Sequence, residues 1–417
     1  MIRLLWVISA WLMLSWPWPA FAQPTTATEP AVTVDGLPIN SDCKPVLHNN
    51  RSLVPLRALA EAINVQLSWD KQTQTIRAAD ANNTITLQIG NRTAVRNGIP
   101  LSMDVPPQIV NGRTLVPLRF FSEAFSCRVA WQPSENLIQI FSPPQAMEVI
   151  GFYALGDRQT SSWTNLFGQP FPAAATGNTD IVSTLALGWY SLDRAGNLLT
   201  KSAGGWQQPA DFRLVLDKAA AYKLRTQMVI HMTDADGSLT GLLTDRHAVE
   251  KAVASIVEEA GIYQGVNIDF EGLGWQDTSL TETRNNFTNF VTLLSQRLQA
   301  ANRTLTLTLH APNSVYRGYD YQKLGQLADE IIIMAHDYGS KPEPLDLVNQ
   351  AVSLACQAVP PEKIILAVSV PSETAASLVS KVGIAKRHQL KGISLWRLGL
   401  LNQDMWFSLR TCIIPRQ

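Results

Sequence analysis

The chain has 417 residues, with 34 basic and 34 acidic side chains balancing to a net charge of zero and only 16% of residues charged. Sparse, balanced charge argues against nucleic acid and against a strongly anionic surface as partner, and a neutral polymer fits better. The length and a 46% apolar fraction predict two or more packed domains.

Met1–Ala22 carries a basic residue at Arg3, an apolar run from Leu4 to Leu14 and the small-residue ending Ala20-Phe21-Ala22. That pattern predicts a cleaved secretory signal peptide, an exported protein and no membrane anchor afterwards. No cysteine follows the cleavage-like site, so lipoprotein anchoring has no support. Cys43, Cys127, Cys356 and Cys412 fall two in each half. In an oxidising compartment Cys43–Cys127 and Cys356–Cys412 would each bridge within one domain, and free buried thiols are the equal alternative.

Leu53-Val54-Pro55-Leu56-Arg57 recurs as Leu115-Val116-Pro117-Leu118-Arg119, followed at matching distance by Glu61 or Glu123 and by Trp69 or Trp131. Each copy reads as an extended segment, a short helix (Arg57–Ile63; Arg119–Phe125) and a strand pair around the Trp, entered by Asn49-Asn50 or Asn111-Gly112 turns. This duplicated α+β module resembles the copper amine oxidase N-terminal-like domain and occupies residues 31–143. Copper chemistry has little support, because the only imidazole there is His48. A structural or wall-attachment role is the default, and Trp69 and Trp131 read as core residues rather than glycan platforms. Phe141-Ser142-Pro143-Pro144 reads as a linker.

From residue 146 onward β-rich runs alternate with helical stretches: Val149–Leu155, Ile181–Trp189, Thr226–Met232, Gly265–Glu271, Leu305–His310, Glu330–Ala335, Lys363–Val370 and Gly392–Trp396. Eight such runs predict a (β/α)8 TIM barrel over 146–417, in the α/β class. Asp245–Ala260, Thr281–Ala300 and Glu373–His388 read as helices, the first two carrying apolar residues at helical spacing. Strand four is the informative one. Asn267, Asp269 and Glu271 share one face, while Val266, Ile268 and Phe270 share the other. Two carboxylates at the chemistry-bearing end of a barrel strand repel each other, so one of them should hold a proton and act as a general acid.

Gln264-Gly265-Val266-Asn267-Ile268-Asp269-Phe270-Glu271 resembles the glycoside hydrolase family 18 signature Asp-Gly-x-Asp-x-Asp-x-Glu, with amides at the first two acids. Further matches are Phe152-Tyr153 ending strand one, Ala311-Pro312 after strand five, Met334-Ala335-His336-Asp337 on strand six and Trp396 ending strand eight. Strand four is most similar to the bacterial spore and cell-wall branch. The resemblance implies cleavage of β-1,4 bonds next to N-acetylglucosamine in peptidoglycan, spore cortex included, or in chitin, with no cofactor and no metal. The partners implied are that polysaccharide and the cell wall or spore envelope around it.

In that family the substrate's own acetamido group attacks, so one carboxylate suffices as acid and base. By resemblance Glu271 is the acid, Asp269 orients the acetamido group, and Asn267 hydrogen-bonds Asp269. His336 or Tyr338 replaces the usual Tyr donor, and Asp337 keeps its family position. Phe152, Tyr153, Trp189, His310, Tyr338 and Trp396 are the substrate-binding set, with Trp396 as the floor of the sugar site. Only about twenty residues separate strands seven and eight, so the groove-deepening insertion of many chitinases is absent. Two other readings stand beside this one. His231, His310 and His336 with Asp269 and Asp337 would suit a metal-dependent hydrolase, although strand one lacks the paired histidines such barrels carry. A non-catalytic glycan-binding protein is the second alternative, which intact Glu271 disfavours.

Overall fold

The computed structural model describes residues 30–153, 161–201, 207–275 and 279–416. The leader Met1–Ala22 and the expected end of strand one at Leu155 lie outside the described residues. Two hydrophobic cores follow each other along the chain, one in the front module and one around the barrel.

In the front module, Arg51–Pro55 and Arg113–Pro117 each run straight into a helix, Leu56–Ala62 or Leu118–Ala124. Each strand is entered through left-handed residues: Asn49 and Asn50 at φ 48° and 57°, Asn111 and Gly112 at φ 50° and 74°. Asparagine and glycine tolerate that conformation, which is why they mark the turns. The repeated segments pair with each other antiparallel, Val54 opposite Val116, and both valines are buried. The repeats thus meet about a local two-fold. Ala31–Val34 pairs in parallel with the strand Leu137–Phe141 and ties the start of the module to its end.

Trp69 and Trp131 correct the sequence reading, because they are 46% and 47% exposed. Each stands on the edge strand of its sheet opposite an isoleucine, Ile76 or Ile138, so one ring face covers that neighbour and the other meets water. The cysteines are also settled. All four are free, neither bridge forms, and burial pushes the Cys127 thiol up to about 12.

The barrel strands are Gln145–Tyr153, Thr184–Leu192, Arg225–Thr233, Gly265–Glu271, Thr304–His310, Glu330–Met334, Ile364–Ser369 and Gly392–Trp396. Each pairs in parallel with the next, and the eighth pairs with the first, closing the barrel. Strand four alternates as its sequence demands. Val266, Ile268 and Phe270 lie under the helices, with Phe270 packed on Phe287 and Phe290 at ring distances of 6.1 and 5.3 Å. Burying one such ring contributes about 2–3 kcal/mol. The helix Arg246–Glu259 starts at Asp245, whose carboxylate accepts from the His247 and Ala248 amides, a cap worth about 1 kcal/mol. Strands seven and eight are joined by one principal helix, Ala375–Arg387, opened by a capping box on Thr374 and Ser377.

Inside the barrel, Glu148, Arg225, Glu330 and Lys391 form a paired charge cluster, and Gln227 and Thr306 extend it. Above it sits an apolar layer of Ile150, Phe152, Ala186, Val229, Ile332, Ile365 and Ala367. These layers plug the barrel, so solvent and substrate meet it at the strand C-termini.

The front module docks on the helix Ala375–Arg387. Lys386, 3% exposed, lies 3.7 Å from the Asp35 carboxylate and donates to Ser142 Oγ and the Pro143 carbonyl, both at 3.1 Å. Asn64 donates to the Lys386 carbonyl at 2.8 Å, and Arg387 donates to the Pro38 carbonyl at 3.1 Å. Gly36, at φ 78°, passes so close that a Cβ there would lie 2.1 Å from Ser380 Oγ.

Candidate active site

The inward face of strand four places its three polar side chains at successive depths. Asn267 is fully buried, Asp269 is 2% exposed, and the Glu271 side chain is 31% exposed. Parallel register sets His231 of strand three beside Asp269 and Thr233 beside Glu271. His231 Nε2 lies 3.5 Å from Glu271 Oε1, and His310 Nε2 lies 4.0 Å from Glu271 Oε2. The acid is therefore flanked by two imidazoles.

Their charge states differ for readable reasons. His310 Nε2 accepts the Gly272 amide at 3.2 Å, which puts its proton on Nδ1, and burial lowers its pKa. Its ring stacks on Tyr316 at 4.0 Å. For His231 burial opposes the charge, but the Glu271 contact and the two carboxylates outweigh it and raise its pKa. Asp269 is pushed up to about 8, first by burial and then by the charge of Glu271. Its Oδ1 is buried and has no hydrogen-bond partner among the described residues. Burial also pushes Glu271 up, yet His231, His310 and His336 together bring it below its usual range. The two carboxylates thus titrate as a pair, Asp269 raised by burial and by Glu271, and Glu271 lowered by the imidazoles around it.

Asn267 does not reach Asp269. Its Oδ1 accepts from Thr308 Oγ1 at 2.8 Å and its amide donates to Gln227 at 3.3 Å. Those bonds join Asn267 to the polar cluster below and leave Asp269 free to turn toward the cleft.

Past strand six the chain turns at Asp337, φ 64°. Glu343, 4% exposed, accepts the Asp337 and Tyr338 amides, both at 3.1 Å. Its own carbonyl accepts from buried Lys381 at 2.7 Å. This brace holds His336, whose Nδ1 is 2.9 Å from Asp337 Oδ2. Trp396 ends strand eight against Phe152, rings 5.0 Å apart and nearly perpendicular, and its peptide to Arg397 is cis.

Residues 198–373 match the family model for glycosyl hydrolases family 18, and residues 33–140 match that for the copper amine oxidase N-terminal domain. The family 18 match thus lies within the barrel and includes strand four.

The chain is also similar to individual proteins. A Bacillus subtilis (strain 168) protein described as a sporulation-specific glycosylase, YdhD, is 35% identical over 116 residues, 25% of this chain. The chain covers about a quarter of that relative's length, 26%. The fold is shared with a class V chitinase of Pseudomonas fluorescens Pf-5 at TM-score 0.53 and 18% identity, covering 64% of this chain and 99% of that one. It is shared equally with the Bacillus cereus spore cortex-lytic enzyme SleL at TM-score 0.53 and 17% identity, covering 66% and 76%.

In the barrel, Glu271, Asp269, His336, His310, Phe152 and Trp396 gather at or just beneath the mouth. Tyr153 and Trp189 do not. They are 0% and 1% exposed and pack on each other in the outer core at 6.4 Å, because each turns outward from its strand where Phe152 turns inward. The Asp337 side chain is 81% exposed on the rim, and its hydrogen bond to His336 lowers its pKa. Tyr338 is half-buried, its hydroxyl donating to Asn313 at 2.8 Å, and burial raises its pKa. Sequence reading missed the brace Glu343 and exposed Trp275, four residues beyond Glu271. It placed His231 at the end of strand three without seeing that it would touch the acid. In the front module His48 is exposed and unaccompanied by another imidazole, so the module offers no copper site of the usual kind.

Proposed function

We propose that this chain is an exported glycosidase that cleaves β-1,4 bonds next to N-acetylglucosamine in peptidoglycan, spore cortex included, by substrate-assisted retaining catalysis. The observation that carries the reading is a buried Asp269 two residues before a partly exposed Glu271, at the C-terminal end of a barrel strand that lies within the family 18 match.

The single proton of the pair serves two steps. When the sugar enters, Asp269 passes the proton to Glu271 and becomes the anion that orients the acetamido N–H. The acetamido oxygen then attacks C1 as the glycosidic bond breaks, and Glu271 gives its proton to the leaving oxygen. The cyclic cation that results lies beside ionised Asp269, in a site dry enough for that charge to count. Water next attacks C1, Glu271 takes its proton, and the acetamido group reopens with the anomeric configuration retained. Trp396 supplies an apolar floor under the ring, and His336 is the available donor toward the acetamido oxygen because the Tyr338 hydroxyl is engaged.

The module in front would hold the enzyme at the envelope. Among the described residues no helix is long and apolar enough to cross a membrane. The reading is tested by release of reducing ends from N-acetylglucosamine oligomers and from purified peptidoglycan, comparing wild type with Glu271→Gln in the presence and absence of EDTA. Loss in the variant with indifference to EDTA supports it. Binding without turnover by wild type would overturn it in favour of a glycan-binding protein.

A further inference from the structure

His231 Nε2, an Asp269 oxygen and a Glu271 oxygen lie within 4.8 Å of one another, and the first and last are 3.5 Å apart. Ligands of a tetrahedral zinc at about 2.1 Å from the metal stand about 3.4 Å from each other, so the His231–Glu271 spacing already fits one edge of such a site. An Asp269 oxygen within 4.8 Å of both supplies the third ligand. The Asp269 Oδ1 is buried and has no hydrogen-bond partner among the described residues, and the nearest cation-forming group it feels is His231 itself. Two carboxylates at this depth need a positive charge between them, and a proton is the smallest that serves; a dication with a histidine on its third side serves as well. The strands fix the arrangement, since His231 and Asp269 are ladder neighbours. His310 stays outside the set, because its Nε2 lone pair takes the Gly272 amide.

We propose that His231, Asp269 and Glu271 form a three-ligand site for a divalent transition metal of the zinc type, with its fourth position open to the cleft. Because the ligands include the acid Glu271 and its proton donor, the bound metal blocks the hydrolysis proposed above rather than assisting it. The site itself rests on geometry and stands whether or not that reading does.

The test is titration of the full chain with CoCl2 and ZnCl2, read by cobalt visible absorption and by calorimetry. One cobalt per chain is expected, with a visible band of four- or five-coordinate type, weakened at least about tenfold in both His231→Asn and Asp269→Asn. Zinc should raise the melting temperature of wild type and leave those variants unmoved, a readout independent of turnover. Absence of one-to-one binding by wild type would overturn the site, as would binding that survives both substitutions in chains shown to be folded by circular dichroism. If the glycosidase reading holds as well, zinc stops turnover and EDTA restores it. If that reading fails, the cobalt band and the melting shift remain.

Discussion

Replacing Asp269 by asparagine keeps the shape of the side chain and removes the need to hold a proton. Burial and Glu271 raise this carboxyl from 3.8 to about 8. Between those two values the folded protein carries a proton that the unfolded chain has released, so stability falls as pH rises. About four pH units at 1.36 kcal/mol each set a ceiling near 6 kcal/mol. Water penetration and the screening typical of protein sites leave about 2–4 kcal/mol. Asp269→Asn should therefore match wild type near pH 4 and exceed it progressively up to pH 8, by a few degrees in melting temperature for a chain of this size. The assay is thermal and urea unfolding of both proteins at pH 4, 6 and 8, beside glycan hydrolysis, which the same substitution should lower at least about a hundredfold. A stability difference that does not change with pH, or a variant less stable than wild type at pH 8, would refute the reasoning.

Four further outcomes follow from the same geometry. The rate profile of wild type should fall above about pH 8, where the pair loses its shared proton, and a flat rate from pH 7 to 10 would contradict that. His231→Asn removes a group that holds Glu271 low, so the acidic limb of kcat/KM should move to higher pH. Glu343→Ala strips the acceptor from the Asp337 and Tyr338 amides, and a loss of about 1–2 kcal/mol in kcat/KM, roughly tenfold, should appear in kinetics with Trp396 fluorescence unchanged. Lys386→Met leaves Asp35 buried beside an apolar chain, a cost of about 3–5 kcal/mol, and calorimetry should then resolve separate melting of module and barrel.

Strand four was legible residue by residue because its alternation is enforced twice, by aromatic packing under the helices and by the polar cleft within. The helices were placed to within a residue or two for a similar reason: caps such as Asp245 and Thr374 act locally, and sequence displays them. Facts that depend on which way a single side chain turns were not legible. Tyr153 follows Phe152 directly, and period two sends one inward and the other into the outer core. Trp189 follows a register irregularity in strand two, after Leu187, which no composition signals. Trp69 and Trp131 look like core residues until the sheets show them on edge strands. Asn267 was paired with the wrong neighbour because its true partners, Gln227 and Thr308, come from strands three and five, some 40 residues away in sequence on either side. His231 reaches Glu271 across the same kind of distance, whereas Glu343 braces amides only five and six residues before it, through a loop whose path the sequence does not display.

Only the residues around Ser142 join module to barrel by chain, yet the ion pair of Lys386 and Asp35 and the glycine contact at Gly36 make the joint stiff. The helix they grip begins beside the mouth at Thr374 and carries its contacts to the module toward its far end, Lys386 and Arg387. The molecule is consequently a tool on a fixed handle rather than a blade on a string. If the module grasps the substrate's scaffold as proposed, the cleft keeps one set distance and one set heading from that grip, so the reach along the polymer is fixed by the protein's own dimensions and each new bond must be brought to the cleft or reached by releasing the grip.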